Sequence, residues 1–202
     1  MFSNSVFLLL VLCSNAISQR VWVRNVPEIA MPSQVDSNSP AFWLNDELHL
    51  FNSTGDGPLL TRGSDQFSLA TPERSTIARQ RPWPAWIEAV WVDEQTGALL
   101  AWYHQERENL CGAQRPAQPH IGAAVSYDSG KTFFDQGVVL SSPVAPDCSS
   151  KNGYFSGGHG DFSVVLDRDK QYFYSCSETT EAHRRRKAYP SPGWRTTIAS
   201  TL

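Results

Sequence analysis

Three carboxylates in this chain sit where an acid needs a reason. Glu88 is the lone charge in the apolar run from Trp86 to Val92, and a charge among core positions requires a partner or a chemical task. Asp161 follows Gly157, Gly158, His159 and Gly160, and glycines allow a backbone to approach a ligand closely. Asp36 lies in the polar run from Gln34 to Ser39, where an ordinary loop or turn role is the competing explanation. His104 and His159 are candidates to line the mouth of the same site, against the commoner fate of a surface or hydrogen-bonded histidine. Acids gathered at one place divide the work of proton donation and acceptance, because repulsion and desolvation raise the pKa of at least one of them.

Other chemistries fit poorly. The cluster Gly157-Gly158-His159-Gly160 is followed by neither Gly-Lys-Ser/Thr nor a helix signal, so it is not a phosphate loop or a dinucleotide fingerprint. The histidines lack zinc-like spacing, Cys111 and Cys148 have no paired neighbours, and no Ser sits in a Gly-x-Ser-x-Gly elbow. No cofactor and no metal are expected.

If the acids are to meet, the intervening chain must be folded by a repeat. Ala41-Phe42-Trp43-Leu44, Asn45-Asp46-Glu47 and Leu48 to Phe51 read as strand, tight turn, strand. The layout returns at Ala89 to Val92, Asp93 to Gly97 and Ala98 to Tyr103, and again at Phe162 to Leu166, Asp167 to Lys170 and Gln171 to Tyr174. A further hairpin is expected between the first two copies, Leu59 to Thr61 with Phe67 to Leu69. Another lies between the last two, in Ala123 to Leu140, where Ser126-Tyr127-Asp128-Ser129-Gly130-Lys131-Thr132 forms a polar turn ahead of Phe133 and Phe134. There Asp128 can bind backbone N–H groups, Gly130 supplies positive φ, and Ser126 and Thr132 tie down the loop, with the Phe133 ring packed beneath. Two hairpins per unit make a four-stranded meander of roughly 50 to 70 residues, the size of a propeller blade. No stretch has sustained helical periodicity. The fold class expected is therefore all-β, a β-propeller of four-stranded blades in incomplete form, about two and a half of a presumed five or six.

Written as Ser-x-Asp-x-Gly-x-Thr-Phe, residues Ser126, Asp128, Gly130, Thr132 and Phe133 resemble the Asp-box, a hairpin motif of the propeller blades of sialidases and other secreted carbohydrate-active proteins. The resemblance implies a structural role at the outer rim of a blade. A sialidase would also use an arginine triad and a tyrosine nucleophile, and Arg20, Arg24, Arg62 and Arg115 match no such motif. The repeated openings resemble those of five-bladed propeller glycosidases, in which the innermost strands of successive blades begin with an acidic residue facing the central funnel. The matching positions are Asp36 before Asn38-Ser39-Pro40, Glu88 in Trp86-Ile87-Glu88-Ala89, and Asp161 in Gly158-His159-Gly160-Asp161-Phe162. Glycoside cleavage needs one group to protonate the leaving oxygen and another to attack or to activate water. The resemblance implies Asp36 as base or nucleophile, Glu88 as acid and Asp161 as the partner that orients them. Here Glu88 precedes Asp161, whereas in that group the donor usually comes in a later blade than the second aspartate.

The ends and the cysteines set the context. Residues Phe2 to Ser18 carry no charge, with an apolar core Val6 to Leu12 and the small-x-small run Ala16-Ile17-Ser18, which reads as a signal peptide over 1–18 of a secreted or periplasmic protein. Its n-region lacks Lys and Arg, and it is too short to serve as a stable membrane anchor. Residues 19–176 then make the partial propeller. From Ser177 the apolar alternation stops, and 177–202, with Arg184-Arg185-Arg186-Lys187 and two prolines, is expected to be an atypical, disordered tail, as if the reading frame had been cut short. Cys111 and Cys148 flank the Ser126–Phe133 hairpin in two polar loops and could form a disulfide in an oxidising compartment, which leaves Cys176 odd. Asn52-Ser53-Thr54 is a glycosylation sequon. A net charge of -3 gives no electrostatic reason for a nucleic-acid partner. The seven Trp, six Tyr and ten Phe suit both strands and sugar-stacking surfaces. The expected partner is a glycan or oligosaccharide, met by a protein that is monomeric if its ring is complete, with a noncatalytic glycan- or protein-binding propeller or an inactive product as the rival readings.

Overall fold

The computed structural model describes residues 24–34, 36–78, 84–112, 116–151 and 154–179, and these hold eleven β-strands and no helix. The leader at 1–18 and the run Arg184–Lys187 lie outside the described residues. The first blade is β1 (Ala41–Leu44), β2 (Glu47–Thr54), β3 (Gly57–Gly63) and β4 (Glu73–Arg74), hydrogen-bonded in chain order. Its first turn is Asn45-Asp46, with φ of 52° and 60°. A two-residue hairpin of type I′ needs positive φ at both positions, and Asn and Asp tolerate it best after glycine.

The second sheet is larger than the expected meander. β6 (Ala85–Val92), β7 (Leu99–Arg107), β8 (Gln118–Ser126) and β9 (Thr132–Leu140) follow in order, and β5 (Thr76–Ala78) lies parallel to β9 as a fifth strand. Thr76 N–H donates to Lys131 O at 3.0 Å and Ser75 Oγ to Gly130 O at 2.6 Å. The link between the blades is thus folded down the outer edge of the second one, where it covers Thr132 to Phe134 of β9. A third, two-stranded sheet joins β10 (His159–Leu166) to β11 (Phe173–Thr179), which runs three residues past the boundary expected at Cys176.

One expected hairpin does not form. Residues Phe67 to Leu69 are not a strand: Leu69 alone bridges, to Gly63, and the fourth strand of the first blade is only Glu73–Arg74, opposite Leu60 and Leu59. The Asp65 carboxylate accepts a hydrogen bond from Phe67 N–H at 2.8 Å, and this local turn leaves the Phe67 ring 49% exposed.

The core is the seam between blades. Phe42, Phe51 and Leu60 of the first blade pack with Ala85, Ile87, Leu99, Ala101, Tyr103, Ala124 and Phe133 of the second. Each fully buried Phe, Leu or Ile contributes about 1.5–3 kcal/mol over leaving it in water. On the far side β10 packs on β6 and β8, and Phe173 of β11 meets Trp91 and Trp102 with ring centroids 5.4 and 4.7 Å away. Sheets stacked face to face around a shared seam, entered by their first strands, give a partial β-propeller of two blades and the opening hairpin of a third.

Two covalent features follow from this packing. A disulfide joins Cys111, in the β7–β8 loop, to Cys148, in the β9–β10 loop. Restricting the unfolded chain in this way contributes about 2–4 kcal/mol. The sequon asparagine Asn52 is 3% exposed within β2 and its Nδ2 donates to Ser39 Oγ at 3.1 Å, so the folded chain withholds that amide from glycosylation.

Candidate functional site

Glu88 is aimed by a bulge. In the β6–β7 pairing, Ile87 opposes Tyr103 and Ala89 opposes Trp102, leaving Glu88 as an extra residue with no partner across the ladder. Ile87 is buried in the seam and Glu88 is buried as well, as two consecutive residues are when both faces of a strand are packed. β10 repeats the device: His159 opposes Thr179 and Phe162 opposes Ser177, so Gly160 and Asp161 together face a single residue of β11. Two opening strands of successive sheets therefore both bulge at their acid.

These bulges meet at His104 of β7. Its Nδ1 is 3.3 Å from Glu88 Oε1 and 4.0 Å from Asp161 Oδ1, and one ligand atom from each of the three residues lies within 4.8 Å of the others. The Glu88 side chain is 0% exposed, His104 7% and Asp161 73%, so the group has a buried floor and one acid open to solvent. Glu88 Oε2 accepts from Phe162 N–H at 3.4 Å and from Asn38 Nδ2 at 3.5 Å, while the same Asn38 amide donates to Phe162 O at 3.0 Å. All three contacts to the buried carboxyl group, at 3.3 to 3.5 Å, exceed the 2.7–2.9 Å usual for charge-assisted hydrogen bonds, so it is only loosely held. Trp86, the register partner of His104, sets its indole edge-on to the imidazole at 5.2 Å, and Glu106 Oε1 stands 3.9 Å from His104 Nε2.

The remaining expected site residues lie elsewhere. Asp36 is exposed on the loop before β1, and this loop reaches the group through Asn38. His159 is buried at the start of β10, its Nδ1 3.3 Å from Ser177 Oγ on β11. The glycines before Asp161 serve the seat of the loop: Gly158 has φ of +122°, and a Cβ there would stand 2.5 Å from Pro119 O of β8. Asn38, Trp86, Glu106 and the Phe162 N–H were not singled out in the sequence. Only Asn38 carried a signal, two residues past Asp36.

The turn before β9 is a separate construction. Asp128 accepts hydrogen bonds from Ser126 Oγ at 2.8 Å, Thr132 N–H at 2.8 Å and Thr132 Oγ1 at 2.5 Å, and Ser126 Oγ accepts from Gly130 N–H at 2.9 Å. Partial burial pushes the Asp128 carboxyl up, but the donors on Thr132, Ser126 and Lys131 outweigh it and hold it below the ordinary aspartate range. Gly130 has φ of +88° and a Cβ there would lie 2.6 Å from the Phe51 ring, so the turn rests directly on the core, with Phe133 fully buried beneath it.

Fold and site together define a partial β-propeller with a carboxylate–histidine cluster where its second and third sheets meet. No family model matches the chain, and no curated protein does. Among solved structures it is similar to an exo-β-1,3-galactanase from Phanerochaete chrysosporium bound to β-1,3-galactotriose, with 13% identity, a TM-score of 0.46, and coverage of 71% of this chain and 33% of that one. It is also similar to a GH43 β-1,3-galactosidase bound to galactodeoxynojirimycin, at 13% identity, TM-score 0.48, and coverage of 72% and 55%. The chain spans about a third of the first and about half of the second. A likeness this loose concerns the path of the chain, and no residue's role is taken from it.

Proposed function

We propose that this chain is the glycan-handling part of an exported, glycoside hydrolase-like propeller. The observation that carries the reading is the convergence of Glu88 and Asp161, from the bulged opening strands of two sheets, on one histidine. Burial divides the roles. Asp161 and Asp36 face solvent and can meet a sugar, whereas Glu88 is out of water and acts by holding His104 and the Phe162 backbone, hence by orienting Asp161. This shifts the acid role away from Glu88, because a proton donor must touch the leaving oxygen. The turn from Ser126 to Phe133 supports reading it as an Asp-box, and the Cys111–Cys148 disulfide supports export to an oxidising compartment.

The test is release of reducing sugar from a panel of aryl glycosides and oligosaccharides, β-1,3-galacto-oligosaccharides included. Asp161→Asn is expected to lower the rate by about 10²–10⁴. Cleavage at equal rates by wild type, Asp36→Asn and Asp161→Asn would sink the assignment. The complete burial of Glu88 favours one second reading, a site that binds glycan without cutting it, and saturable binding with no product would decide for that.

A further inference from the structure

The cluster is built like a metal site as well as a carboxylate pair, and we propose that Glu88 Oε1, His104 Nδ1 and Asp161 Oδ1 bind one transition-metal dication of the zinc type. The inference stands on ligand geometry and does not rest on the glycan reading. It departs from the sequence, in which no metal was expected, because the ligands come from three strands and share no local spacing.

One separation already matches a shared cation, and the second is too long for a hydrogen bond. Tetrahedral zinc with bonds of about 2.0–2.1 Å places its ligand atoms about 3.3–3.4 Å apart. His104 Nδ1 and Glu88 Oε1 are 3.3 Å apart. Asp161 Oδ1 is 4.0 Å from that nitrogen and the three ligand atoms lie within 4.8 Å of one another, so Asp161, a 73% exposed side chain, must swing in by about an ångström to complete the set. A fourth position then faces solvent on the Asp161 side.

Half of an outer shell is already in place, on the Glu88 side. Metal-bound carboxylates and imidazoles are held by partners on their other polar atoms. Glu88 Oε2 is held by Phe162 N–H and the Asn38 amide and the Trp86 edge flanks the imidazole, while His104 Nε2 is buried without a hydrogen bond, with Glu106 Oε1 3.9 Å away as the nearest carboxylate that could move in to hold it. A cation would also neutralise a carboxylate that has no exposed surface and only long hydrogen bonds. The imidazole nitrogen selects the metal, since calcium and magnesium prefer all-oxygen sites. With the cation seated, Asp161 is a ligand, so metal and sugar compete for it and zinc should inhibit any hydrolysis the chain performs.

Calorimetric titration of the full chain with Zn²⁺, Co²⁺ and Ca²⁺ tests this. One Zn²⁺ or Co²⁺ is expected per chain, bound at least tenfold more tightly than Ca²⁺, with a zinc-dependent rise in Tm. Asp161→Asn alters an exposed side chain and so leaves the fold in place; it is expected to weaken zinc on the order of 100-fold and to shift the Co²⁺ absorption bands, with Glu106→Gln weakening it about tenfold. Cys176→Ser removes the exposed free thiol and should change nothing. Absence of zinc binding, zinc binding untouched by Asp161→Asn, zinc binding lost in Cys176→Ser, or equal affinity for Ca²⁺ would each overturn the proposal. The readout is bound metal, so failure of every glycoside in the panel leaves it standing, and its own failure leaves the glycan reading standing.

Discussion

Asp128 and Glu88 are two carboxylates of the second blade solved in opposite ways. Asp128 is exposed at a turn and is saturated by donors within four residues, at 2.5 to 2.8 Å. Glu88 is buried and is held at 3.3 to 3.5 Å by residues 50 positions before it, 16 after it and 74 after it. A carboxylate satisfied locally costs the fold little and does nothing further. One buried with loose partners from three parts of the chain is retained against its desolvation cost, and that is where chemistry is expected.

The comparison breaks first at stability. Glu88→Ala removes the acceptor shared by Phe162 N–H, the Asn38 amide and His104, and opens a cavity between β6 and β10. We expect a loss of about 3 kcal/mol in denaturant unfolding, the range for removing one partner of a buried polar group. Asp128→Ala removes shorter hydrogen bonds, but water replaces them at an exposed turn, so about 1 kcal/mol is expected. If Asp128→Ala proves the costlier change, loose contacts to a buried charge outrank nothing, and the site has been read from the wrong carboxylate.

The same contrast explains what the sequence made legible. The turn was readable residue by residue because Ser126, Asp128, Gly130, Thr132 and Phe133 satisfy one another at short range. Repeating strand–turn–strand runs likewise announced the all-β meander, since alternation and Asn45-Asp46 are local signals. Glu88 was conspicuous as a charge in an apolar strand, yet its bulge was hidden, because a bulge is a property of two paired strands. His104 was singled out as a candidate for the mouth of the site, against the commoner fate of a surface or hydrogen-bonded histidine, but its meeting with Asp161 depends on β10 packing against the second blade. Phe67 to Leu69 failed for the converse reason: a local Asx turn at Asp65 outweighed the apolar alternation. β5 was missed because a parallel strand needs no turn signal next to its partner.

A smaller effect sharpens the comparison through pH. Because hydrogen bonds hold Asp128 below its ordinary 3.8, the folded state favours the carboxylate. Its stabilisation is fully present above that value and is lost as pH falls through the lower folded pKa. Asp93 and Asp147 are held down in the same way by Thr96 and by Ser149, so wild type alone cannot assign the acid limb to one turn. The informative quantity is the difference between wild type and Asp128→Asn: constant above about pH 5 and shrinking toward zero below about 3.8, by a fraction of the Asp128→Ala loss because the group is exposed. His49 supplies an independent window. Burial, then Arg62, lowers its pKa from 6.5, so its neutral form belongs to the fold and its share of stability declines as pH drops below about 6.5. A wild-type curve that bends there while Asp128→Asn bends identically, and whose constant offset from the mutant closes only below about 3.8, separates a histidine governed by burial from an aspartate governed by its own turn.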